Sequence, residues 1–236
     1  MVQRYSKMGS YHTNVNGENQ DAIYCGQNNN CFVISLADGV SSCLKSRTGA
    51  EIASRSITDL LVNKGTSLLN YGNEQIADFV LSHIFYELDK EATHDEKDVK
   101  EYSSTIASVF IDRKKGEVLC INLGDSIILG IEDGKCRVLA MPADSTSGCC
   151  VTTTTNAHIF ASVSRYEEKV FESIVICSDG AWKSMYEKNK LKPLIGRILV
   201  EKDYNGLASF LSEQDCYDDS SFISLNFQNE NRRRSA

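Results

Sequence analysis

The feature that most constrains this chain is the recurrence of short apolar runs rich in β-branched residues: AIYC, FVISLA, TIASVFI, EVLCINL, SIILGI, HIFASV, SIVICS and SSFISLNF. Runs of this length and composition read as strands, because Val, Ile and Thr suit a pleated surface and lose side-chain freedom in a helix. Several end in turn chemistry, with Asp38-Gly39, Asp133-Gly134 and Asp179-Gly180 standing between a strand and the next segment. Two longer stretches carry helical spacing instead. In residues 48–62, Ile52, Ile57, Leu60 and Leu61 fall near one face, and in residues 74–91 so do Ile76, Phe79, Val80, Ile84 and Leu88. Shorter helices are expected at 181–186, 191–200 and 205–212, the last capped by Asn205. Strand blocks thus alternate with helix pairs instead of following a strict βαβα repeat. That order favours antiparallel sheets covered by helices, an α+β architecture, over a doubly wound parallel sheet.

With 236 residues, 42% of them hydrophobic, and only two prolines, the chain can bury one sizeable core, and one domain is expected over residues 1–228. Residues 229–236, ending NENRRRSA, read as a polar, flexible tail. Counting 25 Lys and Arg against 32 Asp and Glu leaves a net charge of -7, which argues against a nucleic-acid binder while leaving room for bound cations. The opening MVQRYSKMGSYH has no apolar core of signal-peptide type, and no run approaches the roughly 18 apolar residues of a membrane span. The expectation is a cytoplasmic protein, neither exported nor membrane-embedded. Nine cysteines, an odd number without a CxxC pair or zinc-type spacing, fit reduced thiols. Those inside apolar runs, such as Cys120 and Cys177, are expected to act as small hydrophobes.

The chemistry concentrates in aspartates. Asp38 follows FVISLA, Asp125 follows VLCINLG, Asp179 follows SIVICS, Asp218 precedes SSFISL, and Asp21 opens the first strand. Each alone has a plain explanation as a turn or cap residue. Carboxylates at the ends of several core strands can converge on one sheet edge, and such a crowd is tolerable only when cations neutralise it. Hard oxygen ligands select Mg²⁺ or Mn²⁺ over zinc.

The order ENQDA, ADGVSSCLKSRTGAEIAS, SSTIASVFI with VLCINLGDSIIL, SIVICSDGAW and DDSSFISL resembles the PPM, or type 2C, family of metal-dependent serine/threonine protein phosphatases, in its short bacterial-like form. The likeness runs over residues 9–227. It implies an αββα sandwich of two antiparallel sheets flanked by helices, with two or three Mg²⁺ or Mn²⁺ ions at one end. By position, the resemblance gives Asp38 a bridging role between two ions, the Gly39 carbonyl a place on the second, Asp179 and Asp218 the first site, and Asp125 a weaker third. Asp21 is expected beside the centre, orienting the water that attacks phosphorus without a covalent phosphoenzyme.

Three positions depart from the better-known members. Gln20 stands where they carry Glu and offers only a neutral carbonyl oxygen. Asn16 aligns with a phosphate-holding Arg and cannot form a charge-assisted fork. Val40 takes the place of a His that could donate a proton. His12, Lys45 and Arg47 flank the first two motifs and are the candidates for phosphate binding, against the plainer reading of solvated side chains. His83, His94 and His158 read as structural or solvated. Residues 141–169 correspond to a mobile flap in the family, and the Thr run 152–155 reads equally as an edge strand.

The expected activity is removal of phosphate from phosphoserine or phosphothreonine in phosphoprotein partners, opposing a Ser/Thr kinase. The alternatives are a catalytically weak module that binds phosphorylated partners and an esterase of small phosphorylated metabolites. Retention of Asp38, Asp179 and Asp218 favours the enzyme, since a module without catalysis has no physical reason to keep carboxylates that repel. No nucleic-acid or membrane partner is expected, and a monomer is.

Overall fold

The computed structural model describes residues 1–15, 17–143 and 150–227. In chain order the elements are β1 (Val2–Lys7), α1 (Ser10–Asn14), β2 (Asp21–Gln27), β3 (Cys31–Asp38), α2 (Ser46–Leu68), α3 (Asn73–His94), β4 (Ile106–Asp112), β5 (Glu117–Leu123) and β6 (Ile127–Glu132). They continue with β7 (Lys135–Ala140), β8 (Ser162–Glu167), β9 (Ser173–Cys177), α4 (Asp179–Met185), β10 (Tyr186–Glu187), β11 (Lys190–Leu191), α5 (Pro193–Glu201), α6 (Tyr204–Glu213) and β12 (Ser220–Asn226). One five-stranded sheet has the order β1-β12-β9-β6-β7 and the other β2-β3-β4-β5-β8, while β10 and β11 form a small hairpin. Every pairing within these sheets is antiparallel.

The two-residue period of the strands sorts side chains into three apolar layers. Ile34 and Leu36 of β3, Val118 and Cys120 of β5, Ile174 and Ile176 of β9, and Ile223 of β12 fill the space between the sheets. Val33 and Ala37 of β3 and Leu119, Ile121 and Leu123 of β5 pack instead with Ile57 and Leu61 of α2 and Ile76, Val80 and Ile84 of α3. On the other side, Val175 and Cys177 of β9 and Leu129 of β6 meet Ile195 and Leu199 of α5 and Leu207 of α6. The result is the expected αββα sandwich. Because the central strands are covered on both faces, they read in the sequence as nearly continuous apolar runs. Cys120 and Cys177 are buried free thiols, as expected of small hydrophobes.

Several expectations need correction. Strands β1 (VQRYSK) and β7 (KCRVLA) escape the periodicity reading, because they are the two edges of their sheet and carry Arg4, Lys7, Lys135 and Arg137. Charged side chains are how edge strands avoid further pairing, and they mask the apolar signal. The run HIFASV is not one strand: Ala157–Phe160 forms a 3₁₀ turn and the strand begins at Ser162. Residues 152–155 are turns, not a strand, with Thr152 and Thr153 buried. The Ser103 hydroxyl shares a hydrogen bond with the Thr153 hydroxyl, and the Ser104 amide bonds the Thr152 hydroxyl at 3.4 Å. Phe79 lies on the outer side of α3, 43% exposed, with the Lys64 ammonium 5.8 Å from its ring centre. The cap of α6 is Asp203, whose side chain accepts from the Gly206 amide at 2.9 Å, and not Asn205. Residues 229–236, expected as a tail, lie outside the described residues, as do residues 144–149 of the expected flap.

Ile176 is fully buried between the two sheets. Ile176→Ala is expected to lower the unfolding free energy by about 2–5 kcal/mol in urea titrations. Leu194→Ala, at an exposed position of α5, is expected to change it by less than about 0.5 kcal/mol. Equal effects of the two would contradict this layering.

Candidate metal centre

Antiparallel pairing decides which strand ends lie together. β2 begins at Asp21, β3 ends at Asp38, and these two residues are direct register partners. In the other sheet, Cys177 at the end of β9 pairs with Phe222 of β12 and with Ile127 of β6. The segments just before β6 and β12, carrying Asp125 and Asp218, therefore lie at the same end as Ser178 and Asp179, which follow β9. The two sheets are tied at this end by hydrogen bonds. The Ser178 hydroxyl donates to Asp21 Oδ2 at 3.0 Å, and the Gln20 amide donates to Asp219 Oδ2 at 2.6 Å.

Local backbone requirements explain the glycines of two motifs. Gly124, before Asp125, has φ +111, and a Cβ there would lie 2.5 Å from the Thr105 methyl. A Cβ on Gly180 would meet the Asp219 carbonyl oxygen at 2.2 Å, so only glycine lets the start of α4 lie against the Asp218-Asp219 segment. Asp38 is held from both sides of its backbone: its amide donates to Thr105 Oγ1 at 3.0 Å and its carbonyl accepts from the Thr105 amide at 2.8 Å. The Trp182 indole donates to the Asp125 carbonyl at 2.7 Å.

The outcome is a carboxylate cluster. One oxygen each of Asp38, Asp125 and Asp179 lies within 4.8 Å of the others. At that spacing an ionised pair repels by roughly 3 kcal/mol at the effective dielectric of a protein surface. Burial, followed by the charges of Asp21, Asp179, Asp218 and Asp125, holds the Asp38 carboxyl well above the ordinary carboxylate range. Burial also pushes Asp21 up to about 8, with the Ser221 and Ser178 hydroxyls opposing it and Asp219 and Asp179 adding to it. Asp125 and Asp218 are raised too, each first by burial and then by Asp179. One cation is already present: Lys183 Nζ lies 2.6 Å from Asp179 Oδ2.

A hard divalent cation fits these residues. Asp21 Oδ1, Asp179 Oδ1 and Gln20 Oε1 are buried without a hydrogen-bond partner, and a buried polar atom left this way is costly unless something binds it. The donors are all oxygens, the set that Mg²⁺ and Mn²⁺ prefer. Asp21, Asp38, Asp125, Asp179 and Asp218 are thus brought to one end of the sandwich, with Gly39 directly after Asp38.

The three basic candidates lie differently. His12 is buried, 2% exposed, with Nδ1 3.0 Å from Asp219 Oδ2. Lys45 is half-buried and pairs with Asp95 at 2.8 Å. Arg47 bonds Glu51 at 2.7 Å and donates through Nη1 to the carbonyls of Asn19 and Asp21, which sets its guanidinium against the Asp21 strand. Asn16 lies outside the described residues. His158 Nδ1 is 3.4 Å from Asp78 on α3, so it bridges the 3₁₀ turn to that helix.

Asp219 is the residue that motif reading misses. It is fully buried and accepts from the Gly9 amide at 2.8 Å as well as from Gln20, so it fastens the chain before β2 to the start of β12. The signal is the doubled Asp218-Asp219, of which only the first resembles a metal ligand.

A family model described as protein phosphatase 2C matches residues 8–214. Among solved structures, the fold is similar to a bacterial serine phosphatase, with 17% identity, 96% of this chain and 97% of that one covered, and a TM-score of 0.67. It is similar to the serine/threonine phosphatase Stp1 from Staphylococcus aureus, with 17% identity, 96% and 94% covered, and a TM-score of 0.65. A third likeness is the catalytic domain of the serine threonine protein phosphatase PstP in complex with two manganese ions, with 13% identity, 96% and 97% covered, and a TM-score of 0.67. No curated protein sequence matches the chain.

Asp21 has a folded-state pKa of about 8 against an ordinary value of 3.8, so the metal-free fold favours its protonated form. The stability this contributes is complete below about pH 4 and is lost as the pH rises through about 8. In chelator, the melting temperature is therefore expected to fall by several degrees between about pH 5.5 and pH 8, and millimolar Mn²⁺ is expected to flatten that slope. A chelated protein whose melting temperature is flat or rises over this range would contradict the clustering of these carboxylates.

Proposed function

The chain belongs to the protein phosphatase 2C family and is a protein phosphatase by that membership; from this premise we propose that it hydrolyses phosphoserine and phosphothreonine with Mg²⁺ or Mn²⁺ held by its aspartates. The observation that carries the reading is the convergence of Asp38, Asp125 and Asp179 to within 4.8 Å, beside buried carboxylate oxygens that lack partners. In this proposal Asp38, Asp179, Asp218 and the Gly39 carbonyl would hold the cations, with Asp125 beside them in the same cluster. Manganese in the similar PstP structure supports the choice of cation.

The bound cations supply charge neutralisation of the phosphoryl oxygens and acidify the water that attacks phosphorus. The chain's own groups do the rest. Ser178 holds Asp21 by one oxygen, which leaves the other to accept a hydrogen bond from the attacking water. The ties of Gln20 and Gly9 to Asp219 keep the Asp21 strand at a fixed distance from the Asp218 segment. Gln20 offers a neutral oxygen and adds no charge to the site. Of His12, Lys45 and Arg47, the reading favours Arg47 for the substrate phosphate on position alone, since its guanidinium contacts the Asp21 backbone while also pairing with Glu51, whereas Lys45 is drawn to Asp95 and His12 to Asp219.

The proposal extends to one phosphatase unit over residues 1–228, acting as a cytoplasmic monomer on phosphoproteins modified by a Ser/Thr kinase. No helix among the described residues is long and apolar enough to cross a membrane.

The test is hydrolysis of p-nitrophenyl phosphate and of a phosphothreonine peptide with Mn²⁺, with Mg²⁺ and with chelator. Peptide turnover that needs metal is expected, and Asp38→Asn is expected to lower kcat at least about 100-fold without unfolding the protein. Wild-type turnover by that variant would sink the metal-centre reading. A folded protein that binds Mn²⁺ yet turns over neither substrate would point to the module that binds phosphorylated partners.

A further inference from the structure

We propose that the Lys183 ammonium is a built-in counter-cation of this centre that occupies the place of a third divalent ion, so that the chain holds two ions and not three. The proposal rests on the metal-dependent phosphatase reading and narrows it. Lys183 follows Asp179 by four residues on α4, which puts both on one helix face, and its Nζ lies 2.6 Å from Asp179 Oδ2.

An ordinary exposed pair at this spacing contributes little. Two observations set this pair apart. Asp179 is almost enclosed, its side chain 7% exposed, and one of its oxygens lies within 4.8 Å of one oxygen each of Asp38 and Asp125, which arrive from other elements. The ammonium thus faces the carboxylate cluster and not only its helix neighbour. The two oxygens of Asp179 are also divided: Oδ2 is taken by Lys183, while Oδ1 is buried and unpartnered and would be left for a cation.

A third divalent ion beside Asp125 and Asp179 would have to displace the Lys183 ammonium from Asp179 Oδ2. The Lys183 side chain is 58% exposed, so it is held by the carboxylate more than by packing, and its replacement opens no space in the core.

The experiment counts bound Mn²⁺ by calorimetry and native mass spectrometry at saturating metal, in the wild type, Lys183→Gln and Lys183→Arg. Two ions are expected for the wild type and for Lys183→Arg, which keeps the charge, and three for Lys183→Gln. In chelator, Lys183→Gln is expected to melt several degrees below the wild type, and Mn²⁺ is expected to close the gap. Equal counts for the wild type and Lys183→Gln, three ions in the wild type, or three in Lys183→Arg would each overturn the proposal. Two ions in all three proteins would remove the role of Lys183 and leave the metal-centre reading standing, whereas no ion in any of them would remove both. Because counting does not depend on turnover, an inactive protein with counts of two and three would support Lys183 while speaking against the phosphatase reading.

Discussion

Carboxylates that repel one another are held together at one end of this sandwich by bonds that cannot relax cheaply, and the behaviour of the site depends on that constraint. Asp21 and Asp38 are register partners across two strands, so separating them means breaking the β2–β3 ladder. Asp179 opens a helix whose Gly180 lies against the Asp219 carbonyl. Asp219 itself accepts from two backbone amides, one buried and one part-buried, and its withdrawal would leave those donors unpaired. Burial first, and the repulsion beside it, therefore keep the carboxyl pKa values raised in the folded state until protons or cations relieve them.

The three apolar layers make this possible. A sheet covered on one face by helices and on the other by a second sheet is stiff, since its side chains interlock on both sides. Ile34 and Leu36 meet the other sheet while Val33 and Ala37 of the same strand face the helical layer led by α2, so the strand that ends in Asp38 is gripped from two directions. Site residues placed at the ends of such strands inherit that positioning. Trp182, whose indole reaches the Asp125 carbonyl, extends the same rigidity to the loop before β6.

Much of the architecture is legible in the residues alone where the signal is local and strong. The central strands show as apolar runs, and α2 and α3 as periodic stretches, because burial on both faces or on one stripe leaves its mark in composition. Strands β1 and β7 are invisible because an edge position favours charge over apolarity, and HIFASV misleads because a 3₁₀ turn and an edge strand share its apolar residues. Among site residues, Asp21, Asp38, Asp125, Asp179 and Asp218 stand out by motif, whereas Asp219 and Lys183 do not. Asp219 serves the backbone amides of Gly9 and Gln20 at the far end of the chain, and Lys183, paired with Asp179 on its own helix, meets the cluster only because Asp38 and Asp125 come up beside Asp179.

Residue order was enough to set the class of fold, the succession of sheets and helices and the oxygen-rich chemistry of the site, because these follow from local periodicity, turn residues and the identity of the side chains. Which basic side chains remain near the centre was settled only by the folded arrangement. His12, Lys45 and Arg47 look equivalent as neighbours of two motifs, yet one is buried against Asp219, one is paired with Asp95 and one lies on the Asp21 strand. The reason is physical: a side chain's partner is set by distances across strands and helices far apart in the chain, which no local pattern encodes.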